Sequence, residues 1–159
     1  MLADDQEEDC AMDDSPNENE IEFKVMGEPI PQGSTRAFIT KSGRPIITHS
    51  NRNLKQWRQR IATEAQAKRP PQWDMESAIL INIDFHMPRP KSLPKKVTED
   101  VKRPDIDKLI RAVLDGLTGI FYADDSQVVH LFASKKYVDR FGTPGVTIRI
   151  VPSPVRGED

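Results

Sequence analysis

The stretch Ala78-Ile79-Leu80-Ile81-Asn82-Ile83-Asp84-Phe85-His86-Met87 alternates cleanly, with Ile79, Ile81, Ile83 and Phe85 two residues apart. Successive side chains of a strand point to opposite faces, so this run predicts a strand with one face buried. It is the strongest strand signal in the chain. Upstream, Leu54, Trp57, Ile61 and Ala65 recur every three or four residues, the period of a helix. That helix can be capped by Ser50 or Asn51, runs to about Lys68 and is ended by Pro70-Pro71. Downstream, Ile106, Leu109, Ile110, Val113, Leu114 and Leu117 form a second helical stripe, with Gly116 and Gly119 marking its end.

The remaining elements are shorter. Ile21 to Met26 alternates as a first strand, and a Pro/Gly-punctuated loop, Gly27 to Ser34, excludes regular helix after it. Ala37 to Thr40 and Arg44 to Thr48 flank Ser42-Gly43, a plausible hairpin turn. Pro88 to Asp100 is a polar, proline- and lysine-rich connection with scope to be mobile. Gln127 to Val138 and Val146 to Val151 complete the set as strands. The order β-β-β-α-β-α-β-β predicts an α/β domain: a mixed β-sheet with two main helices packed on it. The expected organisation is a disordered acidic tail over residues 1–20, one domain over 21–152 and a short tail over 153–159.

The net charge of −2 is unevenly spread. Residues 1–22 hold ten acids and no Lys or Arg, which leaves 15 acids against 23 bases from residue 23 onward, a balance of +8. A basic domain favours polyanionic partners, because each phosphate contact releases condensed counterions. Arg36, Lys41 and Arg44, on the predicted hairpin, can point toward a phosphate backbone. Ten negative charges tethered to a +8 domain can also fold back and compete with a nucleic acid. No apolar stretch approaches the roughly 20 residues that span a bilayer. The acidic N-terminus lacks a secretory signal pattern, and Cys10 stands alone, so a reducing cytoplasm is the expected compartment.

The chemistry concentrates in Arg103-Pro104-Asp105-Ile106-Asp107-Lys108-Leu109 and in Tyr122-Ala123-Asp124-Asp125-Ser126-Gln127. Asp-x-Asp across the start of a helix can aim two carboxylates into one space, if Asp105 is nonhelical. If the following strand lies beside that helix N-terminus, the acidic pair supplies a third. Three clustered carboxylates repel, and a hard divalent cation such as magnesium removes the conflict. Such an ion can generate hydroxide and orient a phosphodiester for hydrolysis. Arg103, Lys108 and Arg111 are near enough in sequence to meet the phosphate. Taken singly, Asp105 passes as a helix cap, Asp107 with Arg111 as a surface ion pair, and Asp124-Asp125-Ser126 as a turn.

The run Arg-Pro-Asp-Ile-Asp-Lys-Leu-Ile-Arg-Ala-Val-Leu-Asp-Gly-Leu from Arg103, followed by Asp-Asp-Ser-Gln-Val-Val from Asp124, resembles the RusA family of Holliday junction resolvases. The family pattern is Asp-x-Asp-Asn-Leu-x-Lys on a helix, then Asp-Asp-x-Gln-Val at a strand. The opening from Phe23 through Arg36 is also similar to that family's first strand and loop, so the resemblance spans about residues 21–151. It implies a small homodimeric endodeoxyribonuclease, frequent in phages, that hydrolyses paired phosphodiesters across a four-way junction with Mg2+ (or Mn2+) in recombination and repair. By position, Asp105, Asp107 and Asp125 match the essential acids, with Asp124 beside them as a further metal candidate. Arg111 falls where the family has a catalytic Lys, and Lys108 where it has Asn. Arginine keeps the charge but does not donate protons near neutral pH, so an electrostatic role is expected of Arg111. Two other functions fit the same residues: a nuclease for other branched DNA, and a noncatalytic basic DNA-binding protein.

Overall fold

Ile79, Ile81, Ile83, Phe85 and Met87 are all buried, while the residues between them are only half-buried. The alternation that defines this strand therefore faces a core on one side. The computed structural model describes residues 19–33, 37–47 and 52–153. Its elements are β1 (Ile21–Met26), β2 (Ala37–Ile39), β3 (Pro45–Ile47), α1 (Arg52–Lys68), β4 (Ile79–Met87), α2 (Ile106–Leu117), β5 (Val128–Tyr137) and β6 (Gly145–Pro152). A single 3-10 turn, Asp125–Gln127, precedes β5. The predicted caps of α1, Ser50 and Asn51, lie outside the described residues, as do Cys10 and most of the two expected tails.

The main sheet has the order β1-β6-β4-β5, with β4 parallel to β5 and antiparallel to β6. The sheet is mixed, as the element order predicts. β2 and β3 form a separate hairpin. Parallel neighbours cannot be joined by a tight turn, and α2 lies on the long crossover between β4 and β5. Trp57, Ile61 and Ala65 of α1 and Leu109, Ala112, Val113 and Leu117 of α2 close the core over the apolar face of the sheet. Among the described residues no helix is long and apolar enough to cross a membrane.

Two expectations change. Gly116 does not mark a helix end: it is buried within α2, where a Cβ would come within 2.9 Å of Ile61 Cγ2. It is there because α1 crosses too closely for a side chain. Gly119, at φ +84, takes the left-handed position just after the helix, as expected. The Pro88–Asp100 connection, read as free to move, is hydrogen-bonded in place. Arg89 donates from Nε to Val138 O (2.8 Å), from Nη1 to Pro94 O (3.1 Å) and from Nη2 to Val97 O (2.7 Å).

Candidate active site

Asp105 takes the N-cap position of α2 in an extended conformation, φ −68 and ψ 141, yet its side chain caps nothing. Its carboxylate instead meets Lys108 Nζ at 3.1 Å, one helical turn on. That ammonium, through its hydrogen bond and its charge, holds the Asp105 carboxyl below the usual carboxylate range, with smaller help from Arg103 and Lys135. Asp107, in the first turn, is exposed and makes no ion pair with Arg111. The surface pair allowed by the spacing is therefore not formed, and both side chains remain available.

The backbone entering α2 is fixed from β5. Lys135 Nζ donates to Lys102 O (2.5 Å) and to Pro104 O (2.8 Å), and the buried Asp100 accepts from Lys102 N (2.9 Å). Lys135 thus anchors the Asp105 segment to the C-terminal half of β5. Sequence reading did not find this residue, since nothing local distinguishes it from a solvated lysine.

The second acidic motif is built differently. Asp124 caps the 3-10 turn, its Oδ1 accepting from Ser126 N at 2.8 Å, and that backbone N–H holds its carboxyl below the ordinary range. Gln127 completes a capping box. Its Oε1 accepts from Ala123 N (2.9 Å) and Asp124 N (3.0 Å). Its Nε2 donates to Met75 O (2.8 Å) and Ser77 O (3.0 Å). All four bonds serve one end: they fix the turn that presents the exposed Asp125. The Gln of the motif was quoted in the sequence but given no role, and its value lies in partners about 50 residues away.

The two motifs stand at opposite ends of α2. Asp105 starts the helix, while Asp125 follows Tyr122, which packs at its end: Tyr122 Oη donates to Leu114 O at 2.8 Å, and Thr118 bridges to Tyr122. Asp125 is close enough to raise the Tyr122 hydroxyl electrostatically, on top of the larger effect of burial. A helix of 12 residues is about 18 Å long. The expected convergence of Asp105, Asp107 and Asp125 within one chain therefore does not occur, because β5 begins beside the wrong end of the helix. Consistently, no group of three or more His, Cys, Asp and Glu among the described residues could hold a metal ion. Within one chain, Asp105, Asp107 and Asp125 do not form such a group.

The other candidates fall into place individually. Arg103, Lys41 and Arg44 are exposed, and Lys108 is engaged with Asp105; Arg36 lies outside the described residues. Asp115, unremarked in the sequence beyond its place in the motif, accepts from Gln32 Nε2 and faces Arg58 Nη1 at 3.7 Å. With Gln32 N donating to Lys108 O (3.0 Å), this ties the Pro29–Gly33 loop along α2. Trp73 is structural: its Nε1 donates to Phe121 O (2.8 Å), and its ring meets Phe121 edge-on at 5.2 Å. Trp57 is core, as its position on the α1 stripe predicts.

The family model described as Endodeoxyribonuclease RusA matches residues 27–151, from the end of β1 into β6. The chain is also similar to a Bacillus subtilis (strain 168) protein that carries the name Uncharacterized protein YqaN. The two are 32% identical over 127 residues, which cover 74% of this chain and 87% of the relative.

Proposed function

This chain belongs to the RusA family of endodeoxyribonucleases, and from that premise we propose that it is a magnesium-dependent Holliday junction resolvase working as a homodimer. The observation that carries the reading is the pair of acidic motifs, each held by its own hydrogen bonds, at the two ends of α2 beside an open-edged strand.

β5 is the edge of the main sheet and exposes Val129, Leu131 and Phe132. Long apolar edges invite pairing with another chain, and homodimers favour two-fold, self-complementary contacts. In an antiparallel pairing of two β5 strands, the start of one lies beside the end of the other. Asp125 precedes the start, and the Asp105 segment is anchored near the end by Lys135. Each active site then draws Asp105 and Asp107 from one protomer and Asp125 from its partner. Asp124, spent on capping its turn, supports rather than ligates.

Magnesium, or manganese, is the ion such a hard-oxygen set accepts, and it supplies Lewis-acid stabilisation of the phosphate. The protein's own contribution is positional. Lys108 keeps Asp105 ionised, Lys135 holds the Asp-x-Asp segment, and Arg111 and Arg103 offer positive charge to the scissile phosphate. Arg111 acts as a fixed charge and not as a proton donor.

The test is a complementation experiment with a labelled four-way junction and magnesium. Asp105→Asn and Asp125→Asn proteins are each inactive alone. A heterodimer of one with the other regains one intact site and nicks one strand. Cleavage by either single variant overturns the catalytic assignment, and a dead heterodimer overturns the shared site.

A further inference from the structure

Beyond the carboxylates, the same end of the sheet carries a second polar feature that the reaction does not use. Pro88–Asp100 follows β4 and the segment after Tyr137 follows β5, so both leave the sheet where Lys135 anchors the Asp105 segment. Between them lies an open cleft of about 740 Å³ lined by Arg89, Lys91, Lys95, Asp139, Arg140 and Phe141.

Its walls are built. Arg89 spans the cleft floor, bonded to Pro94 O and Val97 O on one wall and Val138 O on the other. Its guanidinium also lies 5.8 Å from the Tyr137 ring centroid. Tyr137 N donates to Thr98 O (2.9 Å) and Val138 N to Met87 O (2.9 Å), tying the walls together at their base. Above them Asp139–Gly142 closes a turn, Gly142 N to Asp139 O at 2.8 Å, and its tip presents Arg140 and Phe141.

The charges are unspent. Lys91, Lys95 and Arg140 make no ion pair among the described residues. Phe141 is 94% exposed, the most exposed large apolar side chain described, with Arg140 over its ring at 5.8 Å. A basic cleft with a hydrogen-bonded floor and an aromatic face at its lip has the make-up of a single-strand binding groove: cations track the backbone and the ring stacks a base. Double-stranded DNA offers no free base face, so the aromatic would be idle on an intact duplex.

We propose that this cleft holds the backbone of a single DNA strand at a branch point, with Phe141 stacked on one of its unpaired bases. The inference rests on the nuclease reading for its substrate, but it is tested without cleavage. Binding is measured by fluorescence anisotropy in metal-free buffer, using a fork with single-stranded arms, a free single strand and a blunt duplex. Phe141→Ala weakens binding of the fork and the single strand about tenfold and leaves the duplex within about twofold. Phe141→Trp retains the affinity. The triple variant Lys91→Gln, Lys95→Gln, Arg140→Gln lowers the slope of log affinity against log salt by roughly 2 on the single strand.

If Phe141→Ala binds the fork as tightly as the native protein, loses duplex equally or changes the dimer mass, the stacking role is wrong. Unaltered junction cutting alongside that result leaves the nuclease reading intact. Phe141-dependent binding in a protein that cuts no junction removes the nuclease reading and keeps the cleft.

Discussion

The two acidic motifs of this protein solve the same problem in opposite ways. Asp105 stands at a helix N-terminus whose backbone it leaves uncapped, and its segment is anchored from outside by Lys135. Asp124 and Asp125 sit in a turn that caps itself, so that one carboxylate is consumed in presenting the other. The helix-borne Asp105 gains its position from tertiary contacts and keeps its carboxylate off the backbone, paired with Lys108, whereas the turn-borne Asp125 needs a neighbour to spend itself locally. The spacing of Asp-x-Asp and Asp-Asp looks equivalent on paper; the physical roles of the four acids are not.

Breaking the external anchor and breaking the internal one separates these roles. The largest effect is expected at the β5 edge, proposed above as the dimer contact. Val129→Glu with Phe132→Glu places charge on both faces of β5, converts a dimer to a monomer by light scattering and lowers junction cleavage roughly a hundredfold or more. A monomer that still cuts would return the whole site to one chain. Next comes Gln127→Ala, which removes four hydrogen bonds and costs about 1–3 kcal/mol. Thermal unfolding reads that loss, and magnesium titration of activity reads the misplaced Asp125. Lys135→Met is expected to cost a similar or smaller amount while leaving the Asp124 turn intact, so an equal effect on both motifs would erase the contrast. Asp124→Ala lowers the unfolding midpoint slightly as a lost cap of the turn, whereas Asp125→Ala removes cleavage without measurable destabilisation.

The smallest effect is on pH. Asp105 has its carboxyl lowered by Lys108, so its ionised form, and the stability linked to it, persists above the unfolded-state value and is lost only as pH falls through the lowered folded value. Lys108→Gln therefore moves the acid limb of the cleavage profile upward, toward the ordinary carboxylate range. An unmoved limb would mean that the observed ion pair does not govern Asp105 in solution.

β4 and α2 were legible from the residues alone, because burial on one face forces a period of two or of about three and a half. The mixed sheet followed from the order of elements. The separation of the acids was not legible, since it depends on which end of α2 lies beside the start of β5, a tertiary fact with no local signature. Arg89 and Lys135 looked like ordinary cations for the same reason: their partners are backbone carbonyls, which every residue carries. Gly116 was misread because a glycine near a helix end resembles a stop, and only the approach of Ile61 reveals the packing reason.

The sheet order β1-β6-β4-β5 has a consequence in time. β6, the latest strand in chain order among the described residues, is an interior one, and within the main sheet it alone pairs with β1. Until Gly145–Pro152 has left the ribosome, β1 has no strand to pair with and β4 shows a bare flank. The emerging sheet therefore stays open until β6 arrives, and a nonsense codon before Gly145 would leave both β1 and the inner flank of β4 without the strand that joins them.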